Sequence, residues 1–361
     1  MQIIESNSIF NVPDYTKVTS KNEVFYNPIM SFNRDISLLA VNRESRDSSI
    51  LCGMAGTGVR AIRYSLMGFQ DVTANDINPK ANQLTSQNAS LNKVELNCTN
   101  LDFNLVTGKY GIVDIDPFGS PVRYIHSAFR LLRKEGSIFI TATDTAALCG
   151  SSKRACIRKY SAYPMLLPYC HEIGLRIMIG YIVRQAASWD YGCLPQISFY
   201  KDHYMRVHMK FIKGKRRADK SMDELGFLYH CDHCLNRFFS KRAKCDCDCG
   251  HKLRAAYPIW GDSICDKSFI HDMIDDIDVV PLHDREKVLS FLSILKDEVD
   301  VPYFWDSHEV FSSFKMQVPT MEKIMDTLLG GGYEVSKTHF KPTGFKTDAN
   351  MSEMFQIFSS K

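Results

Sequence analysis

A tetrapeptide at the end of an apolar run carries the side chains best suited to chemistry. Residues 111–115 lead directly into Asp116-Pro117-Phe118-Gly119. An exocyclic amino group on a base is a poor nucleophile, because its lone pair is delocalised into the ring. Hydrogen bonds from its two protons to the Asp116 carboxylate and the Pro117 carbonyl oxygen would turn that lone pair toward an electrophile, while Phe118 stacks on the base. The tetrapeptide therefore predicts chemistry at an amino nitrogen; the alternative is an ordinary strand-ending turn, since Asp-Pro is a common turn pair.

A glycine-rich segment upstream has the spacing of a cofactor-binding loop. Between a predicted strand and a predicted helix lie three glycines, Gly53, Gly56 and Gly58. Glycine lets the backbone pass close to a ligand, and the helix N-terminus adds free amide donors. Asp76 follows Gly58 by 18 residues, where a carboxylate can accept hydrogen bonds from both ribose hydroxyls.

The glycine pattern alone also fits two other structures. A nicotinamide-dependent dehydrogenase uses the same loop, and a tight structural turn with a solvated Asp76 needs no ligand at all. A dehydrogenase requires in addition a histidine or tyrosine poised for hydride chemistry. A methyltransferase requires only a pocket that aligns a nucleophile with a sulfonium methyl group. Asp116 lies 40 residues after Asp76 and supplies such a pocket, so S-adenosylmethionine is the expected cofactor.

The elements around these residues predict an α/β fold with a Rossmann-like class I methyltransferase sheet. Apolar segments predicted as strands alternate with helical stretches, at 50–52, 71–75, just before Asp102, 111–115 and 137–141. Such alternation implies crossover connections and a parallel sheet. Two further segments, 177–183 and 205–209, are predicted to close the sheet as antiparallel strands.

Length and composition predict two domains in an ordinary soluble protein. With 361 residues, the chain is expected to divide into a methyltransferase domain, 1–215, and a smaller zinc-containing α/β domain, 216–361, joined by a basic linker at 213–217. No stretch approaches the ~20 apolar residues of a membrane span. The N-terminus also lacks a secretion signal, so a cytoplasmic location is expected. The net charge of +3 neither demands nor excludes a nucleic-acid partner.

Cysteines cluster in the predicted C-terminal domain. Of the twelve cysteines in the chain, five lie between 231 and 251, namely Cys231, Cys234, Cys245, Cys247 and Cys249. In a chain expected to be cytoplasmic, this crowding indicates a structural zinc site rather than disulfides. Cys231 and Cys234 are separated by two residues, the spacing of a zinc knuckle. Residues 249–251 resemble the last residues of a second knuckle. The remaining ligand is Cys245 or Cys247, with His251 as a further alternative.

Longer motifs resemble those of one family. They occupy residues 25–28, 33–35, 114–121, 141–150, 158–160, 171–176, 203–207, 338–340 and 344–348. In these motifs, and over nearly its whole length, the chain resembles the tRNA (guanine-N2)-dimethyltransferases that act on guanine at tRNA position 26. The tetrapeptide is also similar to the Asp/Asn-Pro-Pro-Tyr/Phe motif of amino-group methyltransferases, with Phe118-Gly119 in place of its last two residues.

The resemblance implies a function and a set of site residues. It implies that S-adenosylmethionine is contacted by Arg34, Arg60, Asp76, Asp102 and Phe103. Phe25 and Phe118 would sandwich a flipped guanine while Asp116 and Pro117 hold its amino group. The expected partner is tRNA, with neither a membrane nor an obligate protein partner. The alternatives are an amino-group methyltransferase acting on another guanine, on adenine or on a glutamine amide, and a non-catalytic RNA-binding protein.

Two smaller features have two interpretations each. Asp144 follows the fifth predicted strand, so it can either face the substrate or cap the next helix together with Thr145. Basic and aromatic residues surround the cysteines, namely Arg237, Phe238, Phe239, Lys241, Arg242, Lys244, Lys252 and Arg254. These side chains can either follow an RNA backbone or form a solvated basic face.

Overall fold

The chain folds around a seven-stranded mixed sheet, seen in a computed structural model that describes residues 1–13 and 23–359. A hairpin precedes it, formed by β1 (Gln2–Glu5) and β2 (Ser8–Asn11). The sheet strands are β3 (Ile50–Cys52), β4 (Val72–Asn75), β5 (Asn97–Thr99), β6 (Tyr110–Ile115), β7 (Leu132–Ala142), β8 (Tyr191–Lys201) and β9 (Tyr204–Lys213). Their order is β5-β4-β3-β6-β7-β9-β8. β3 to β7 run parallel, β9 is antiparallel to β7, and β8 is antiparallel to β9.

Helices precede and connect these strands, as an α/β fold requires. They are α1 (Ser31–Asn42), α2 (Val59–Leu66), α3 (Pro79–Leu91), α4 (Val122–Leu131), α5 (Thr145–Leu148), α6 (Lys153–Tyr160) and α7 (Cys170–Ala187). Short 3-10 turns lie at Pro28–Met30 and Phe103–Leu105. The start of α3 shows how the sequence sets a boundary: the side chain of Asn78 accepts a hydrogen bond from the Lys80 amide over 3.0 Å, and Pro79 takes the first helical position.

The five predicted parallel strands are confirmed, but the prediction of a strand at 177–183 is wrong. That segment lies inside α7, and the strand that pairs with β9 is β8. Ile177, Ile179 and Ile182 are fully buried, and so are residues on the other faces of α7. A helix covered on all sides loses the amphipathic period that distinguishes it from a buried strand.

The predicted linker at 213–217 is also wrong. Residue 213 still belongs to β9, and α8 (Lys215–Met222) begins two residues later. This helix packs closely on β8, because a Cβ atom at Gly192 would lie 2.5 Å from the Cβ of Arg217. The basic residues therefore start a packed helix. The boundary placed between 215 and 216 stays a prediction.

The C-terminal part contains two small antiparallel sheets with helices beside them, as an α/β domain should. Its elements are β10 (Leu225–His230), β11 (Arg237–Ser240), β12 (Arg254–Trp260), α9 (Lys267–Asp275), the turn Asp276–Asp278, α10 (Arg285–Asp297), β13 (Trp305–Asp306), α11 (Ser307–Ser313), α12 (Met321–Gly330), β14 (Val335–Lys337), β15 (Gly344–Thr347) and α13 (Met351–Ser359). The sheet orders are β11-β10-β12 and β13-β15-β14. One hydrophobic core extends from the large sheet to β10, β12, α9 and α10, and a second core lies around Trp305 and Phe345.

A buried ion network joins the second small sheet to α7. Lys346 on β15 donates to Glu172 on α7 over 2.8 Å, and its ammonium group lies 3.2 Å from Glu298. Glu172 also accepts from Arg176. All of these side chains are almost completely buried, so this contact fixes the C-terminal part against the helix that covers the large sheet.

Candidate active site

A cavity of about 810 Å³ opens at the carboxyl edge of the parallel strands, a volume in the range of small-molecule sites. It is lined by Phe25, which precedes α1, and by residues that follow the parallel strands. Among these residues are Gly53, Gly56, Asp76, Asp102, Phe103, Asp116, Pro117 and Phe118. β3 pairs with β4 on one side and with β6 on the other. The order in which strands are added to the sheet therefore changes direction between β3 and β6. Such a switch point is where α/β folds bind ligands.

The glycine loop lies against this cavity in the conformation that its residues allow. A Cβ atom at Gly53 would lie 2.6 Å from the Phe103 ring, so a side chain there would displace that ring. Gly58 has φ of +80°, which L residues rarely adopt, and it caps the start of α2. The loop thus brings backbone to the cavity wall.

Asp76 closes the far side of the loop. Its two oxygens accept from the amides of Gly56 (2.8 Å) and Asn78 (2.9 Å). Burial raises the pKa of Asp76, and those two hydrogen bonds oppose the rise. Asp102 accepts from the Asn104 amide over 2.8 Å and so fixes the turn that places Phe103. Both acids line the cavity, and their contacts to a nucleoside stay a prediction.

A narrower recess beside the cavity contains the two predicted cofactor arginines, Arg34 and Arg60. Arg34 donates from Nε to Glu5 over 2.7 Å, and Arg63 binds the same carboxylate at 2.6 Å. Burial alone would raise the pKa of Glu5, but the two guanidinium groups lower it to about 2. Glu5 comes from the N-terminal hairpin, and sequence reasoning missed it because nothing local links it to Arg34.

Arg60 lies next to the predicted catalytic acid. One of its nitrogens donates to Oδ2 of Asp116 over 2.6 Å and to Asn33 over 3.0 Å, and the other donates to Ser37 over 2.8 Å. The structure thus brings a predicted cofactor residue and a predicted catalytic residue into one ion pair. Because Arg60 occupies Oδ2, the second oxygen of Asp116 is the one available to a substrate.

A fully buried acid, Asp114, lies next to the Arg60–Asp116 pair. Asp114 accepts from Arg206 (2.8 Å) and from the Tyr64 hydroxyl (2.7 Å), and Arg60 lies 3.6 Å from it. Burial would raise the pKa of Asp114, but the guanidinium groups of Arg206 and Arg60 lower it below its ordinary value. Arg206 was not predicted as a site residue, although a charged residue inside an apolar strand is a signal that could have identified it.

Phe118 and Phe25 meet at the mouth of the cavity. Their ring centroids are 4.5 Å apart and the planes cross at 84°. A base sandwiched between two rings needs about 7 Å between them, so the predicted sandwich requires the rings to separate. Phe118 is 52% exposed, and little packing opposes its rotation. The sandwich stays a prediction.

Side chains from β7 and α6 hold the loop that carries Phe118. The amide of Gly119 donates to the Thr143 hydroxyl (2.7 Å), and the Thr143 amide donates back to the Gly119 carbonyl (2.9 Å). Ser120 donates to the Tyr160 hydroxyl (3.0 Å), which donates to Asp144 (2.7 Å). Burial and the Asp144 carboxylate raise the pKa of Tyr160, so its hydroxyl stays protonated.

The two interpretations of Asp144 can now be compared with its contacts. Asp144 makes no side-chain capping hydrogen bond to α5. Its carboxylate binds Tyr160 and Lys159 instead, and Lys159 lines the cavity. These contacts favour the substrate-side interpretation of Asp144 over the capping one, and a role in binding the substrate stays a prediction.

Four cysteine thiols converge at the predicted zinc cluster. The sulfur atoms of Cys231, Cys234, Cys247 and Cys249 all lie within 4.8 Å of one another. Two of the separations are 3.5 Å and 3.6 Å, close to the edge of about 3.8 Å in a tetrahedral zinc–thiolate site. The donor set therefore fits zinc.

Of the three candidates for the remaining zinc ligand, Cys247 is the one that the structure groups with the other three thiols. This residue begins a turn in which the Gly250 amide donates to the Cys247 carbonyl over 2.8 Å, and Gly250 has φ of +83°. Cys245 lies before the turn, is exposed and is outside the four-thiol group. His251 is also outside that group, and its ring stacks on His233 with 3.7 Å between centroids.

No helix among residues 1–13 and 23–359 is both long and apolar enough to cross a membrane.

Comparisons with known proteins cover almost the entire chain. Residues 6–359 match the family model of "N2,N2-dimethylguanosine tRNA methyltransferase". The tRNA (guanine(26)-N(2))-dimethyltransferase of Methanothermobacter thermautotrophicus is 36% identical over 371 residues, covering 98% of this chain and 97% of the relative. The protein of the same name from Thermococcus kodakarensis is 37% identical, with 93% of each chain covered.

The similarity extends to a solved structure. Trm1 from Pyrococcus horikoshii, in complex with S-adenosyl-L-methionine, superposes with a TM-score of 0.90 over 99% of each chain at 30% identity. The fold of the catalytic sheet and that of the C-terminal part are therefore both shared.

Proposed function

The chain belongs to the N2,N2-dimethylguanosine tRNA methyltransferase family, and from that membership we propose that it methylates, twice, the exocyclic N2 of the guanine at tRNA position 26. The single observation that carries the proposal is the position of Asp116, Pro117 and Phe118 on the wall of the cavity shared with the glycine loop. A tRNA substrate also favours a cytoplasmic site of action.

S-adenosylmethionine would supply an electrophilic methyl group from its sulfonium. Asp76 would hold its ribose, with Asp102 and Phe103 beside the adenine. Arg34 and Arg60 line the recess where its carboxylate end would lie. Gly53, Gly56 and Gly58 would bring the backbone close to the cofactor. The fit is supported by the cavity volume and by the requirement for glycine at position 53.

The amino group would be held by acceptors at one strand end. One N2 proton would bind the Pro117 carbonyl and the other Oδ1 of Asp116, because Arg60 already occupies Oδ2. The nitrogen lone pair then points at the methyl group. As the N–C bond forms and the S–C bond breaks, the nitrogen would lose a proton to the free oxygen of Asp116. Alignment of this kind supplies much of the acceleration in bimolecular reactions.

Phe118 and Phe25 would bind the two faces of the extruded guanine. The edge-to-face pair that they form would open as the base enters, and stacking on an aromatic ring contributes about 1–3 kcal/mol per base. We also propose that Cys231, Cys234, Cys247 and Cys249 hold a structural zinc ion. Methyl transfer has no water to activate, so the ion would stabilise the fold around the cluster.

The decisive experiment follows labelled methyl groups from S-adenosylmethionine into an unmodified tRNA transcript. We expect incorporation of two methyl groups per transcript, and no incorporation when position 26 carries adenine. Nuclease digestion and chromatography would identify the product as N2,N2-dimethylguanosine. Folded protein that modifies neither transcript would contradict the proposal, and equal labelling of both would place the target elsewhere.

A further inference from the structure

Five aromatic side chains form a continuous row on one face of the β11-β10-β12 sheet. Consecutive centroids are 4.8, 5.1, 5.8 and 5.3 Å apart in the order Tyr163, Tyr257, Phe227, Tyr229, Phe238. These residues are termed the ring row. The intervening residues Leu228 and Ala256 are fully buried on the opposite face, as the alternation of side chains along a strand requires.

The ring row is held in place by its packing, and four of its five rings remain partly exposed. Tyr163 is 40% exposed, and Phe227, Phe238 and Tyr257 are half-buried. Tyr229 is buried, and its hydroxyl accepts from the Lys244 amide over 2.7 Å. That hydrogen bond orders the segment between β11 and the cysteine cluster. The remaining ring edges and faces are therefore preorganised for contact with a partner.

A lysine lies beside each end of the row. The ammonium of Lys153 is 5.9 Å from the Tyr163 centroid, and that of Lys244 is 5.0 Å from the Phe238 centroid. Both lysines are exposed. Two acids of the adjoining segment are already neutralised, since Asp232 pairs with Arg254 and Asp246 with Lys252. The two lysines beside the ring row therefore favour a polyanion as its partner.

The ring row begins close in sequence to the wall of the catalytic cavity. Tyr163 pairs through its backbone with Tyr257, over 2.7 and 3.1 Å. Three residues earlier, Tyr160 holds the substrate loop through Ser120, and Lys159 lines the cavity. Along the chain, the two ends of the ring row thus lie four residues beyond a residue of the cavity wall (Tyr163 after Lys159) and four residues beyond a member of the four-thiol group (Phe238 after Cys234).

From this arrangement we propose that the ring row, with Lys153 and Lys244, binds unpaired nucleotides of the substrate tRNA while the target guanine occupies the cavity. This inference rests on the proposed function. Aromatic rings bordered by cations bind single-stranded RNA, because bases stack on rings while phosphates pair with the charges.

The test uses the full-length protein and a fluorescently labelled tRNA transcript, with anisotropy measured at several salt concentrations. Tyr163→Leu and Phe238→Leu should each weaken binding by about ten-fold, the effect of losing one stacked base, without changing its salt dependence. Lys153→Ala and Lys244→Ala should each lower the slope of log K against log salt by about one. The control for the ring variants is Phe355→Leu, a ring on α13 that is about as exposed as Tyr163. The control for the lysine variants is Lys134→Ala, near the amino end of β7.

Different outcomes identify which proposal fails. If the wild-type protein methylates tRNA and the ring-row variants bind it as tightly as the Phe355 control, the role proposed for the ring row is wrong and the proposed function survives. If folded wild-type protein neither binds nor methylates tRNA, the proposed function fails and the role of the ring row fails with it. All variants should keep the wild-type affinity for S-adenosylmethionine, which shows that the cavity has folded.

A second measurement avoids substitutions altogether. Transcript carrying 4-thiouridine would be cross-linked to the wild-type protein and the attached peptides identified by mass spectrometry. We expect cross-links within residues 153–163 and 227–244. Cross-links confined to other surfaces would overturn the proposal even if a ring variant failed to fold.

Discussion

Arg60 donates a hydrogen bond from its guanidinium to Oδ2 of Asp116 over 2.6 Å, and this contact determines how the candidate catalytic acid can act. The same arginine reaches Asn33 and Ser37 on α1 and lies 3.6 Å from Asp114. Asp116 is thus held in one orientation with one oxygen occupied. A carboxylate fixed in this way can accept a proton of an amino group without reorganising during the reaction.

Replacement of Asp116 should separate turnover from cofactor binding. Asp116→Ala removes the acceptor for the amino proton, and we expect kcat to fall on the order of 10³-fold. The dissociation constant for S-adenosylmethionine should change little. In Asp116→Asn the amide oxygen would accept from Arg60 and the NH2 group would face the amino group of the substrate, so this variant should lose nearly as much activity as the alanine variant. Rapid-quench methyl transfer and calorimetry measure the two quantities; loss of cofactor affinity in the alanine variant would contradict the assigned role.

The hydroxyl of Tyr160 is predicted to position the loop that carries Phe118. Tyr160→Phe leaves the ring in place but removes the bridge between Ser120 and Asp144. We expect kcat to fall about five-fold, in line with the loss of about 1 kcal/mol of hydrogen bonding, while KM for S-adenosylmethionine stays constant. Tyr110→Phe, far from the cavity, is the control. An equal loss in both variants would indicate a general effect on stability.

Removal of Arg206 should destabilise the fold strongly. Arg206→Met leaves Asp114 as a buried charge without its closest cation, and breaking a buried pair costs about 3–5 kcal/mol. The double variant Arg206→Met/Asp114→Asn removes both charges and should recover part of that loss. Denaturant unfolding of the two variants and the wild type measures the difference. A double variant less stable than the single one would show that Asp114 is not the cause.

Glu5 predicts a dependence of stability on acidity. Its pKa in the folded protein is about 2, below the ordinary 4.5, so the unfolded chain takes up the proton first as pH falls. The contribution of Glu5 is therefore complete above about pH 5 and is lost between pH 4.5 and 2. Glu5→Gln should flatten the fall in unfolding free energy over that interval, whereas Glu95→Gln, at an exposed site, should not. Parallel curves for Glu5→Gln and the wild type would exclude this role.

The sequence predicted those parts of the site that depend on local pattern. β3, β4 and β6 are apolar runs that end in glycine or aspartate, and parallel strands necessarily bring their carboxyl ends to one edge. For that reason the sequence alone predicts that Asp76 and Asp116 lie at a common edge of the sheet.

The parts that were not predicted depend on contacts between distant segments. Glu5 reaches Arg34 from 29 residues away, and Arg206 reaches Asp114 from 92; neither pair has a local signature. The segment 177–183 was assigned to a strand because burial on every face removed its helical period. In both cases the missing information was which other elements pack against the segment.

Exchange of single cysteines should show which thiols hold zinc. Cys247→Ala removes a member of the four-thiol group, whereas Cys245→Ala removes an exposed thiol two residues away that lies outside it. We expect about one zinc ion per chain in the wild type and in Cys245→Ala, and much less in Cys247→Ala. Inductively coupled plasma mass spectrometry of the dialysed proteins measures the zinc content. Structural zinc sites contribute folding free energy directly, so Cys247→Ala should also unfold at lower temperature, and chelator should lower the midpoint of the wild type toward it. Loss of zinc in Cys245→Ala with retention in Cys247→Ala would reverse the ligand assignment.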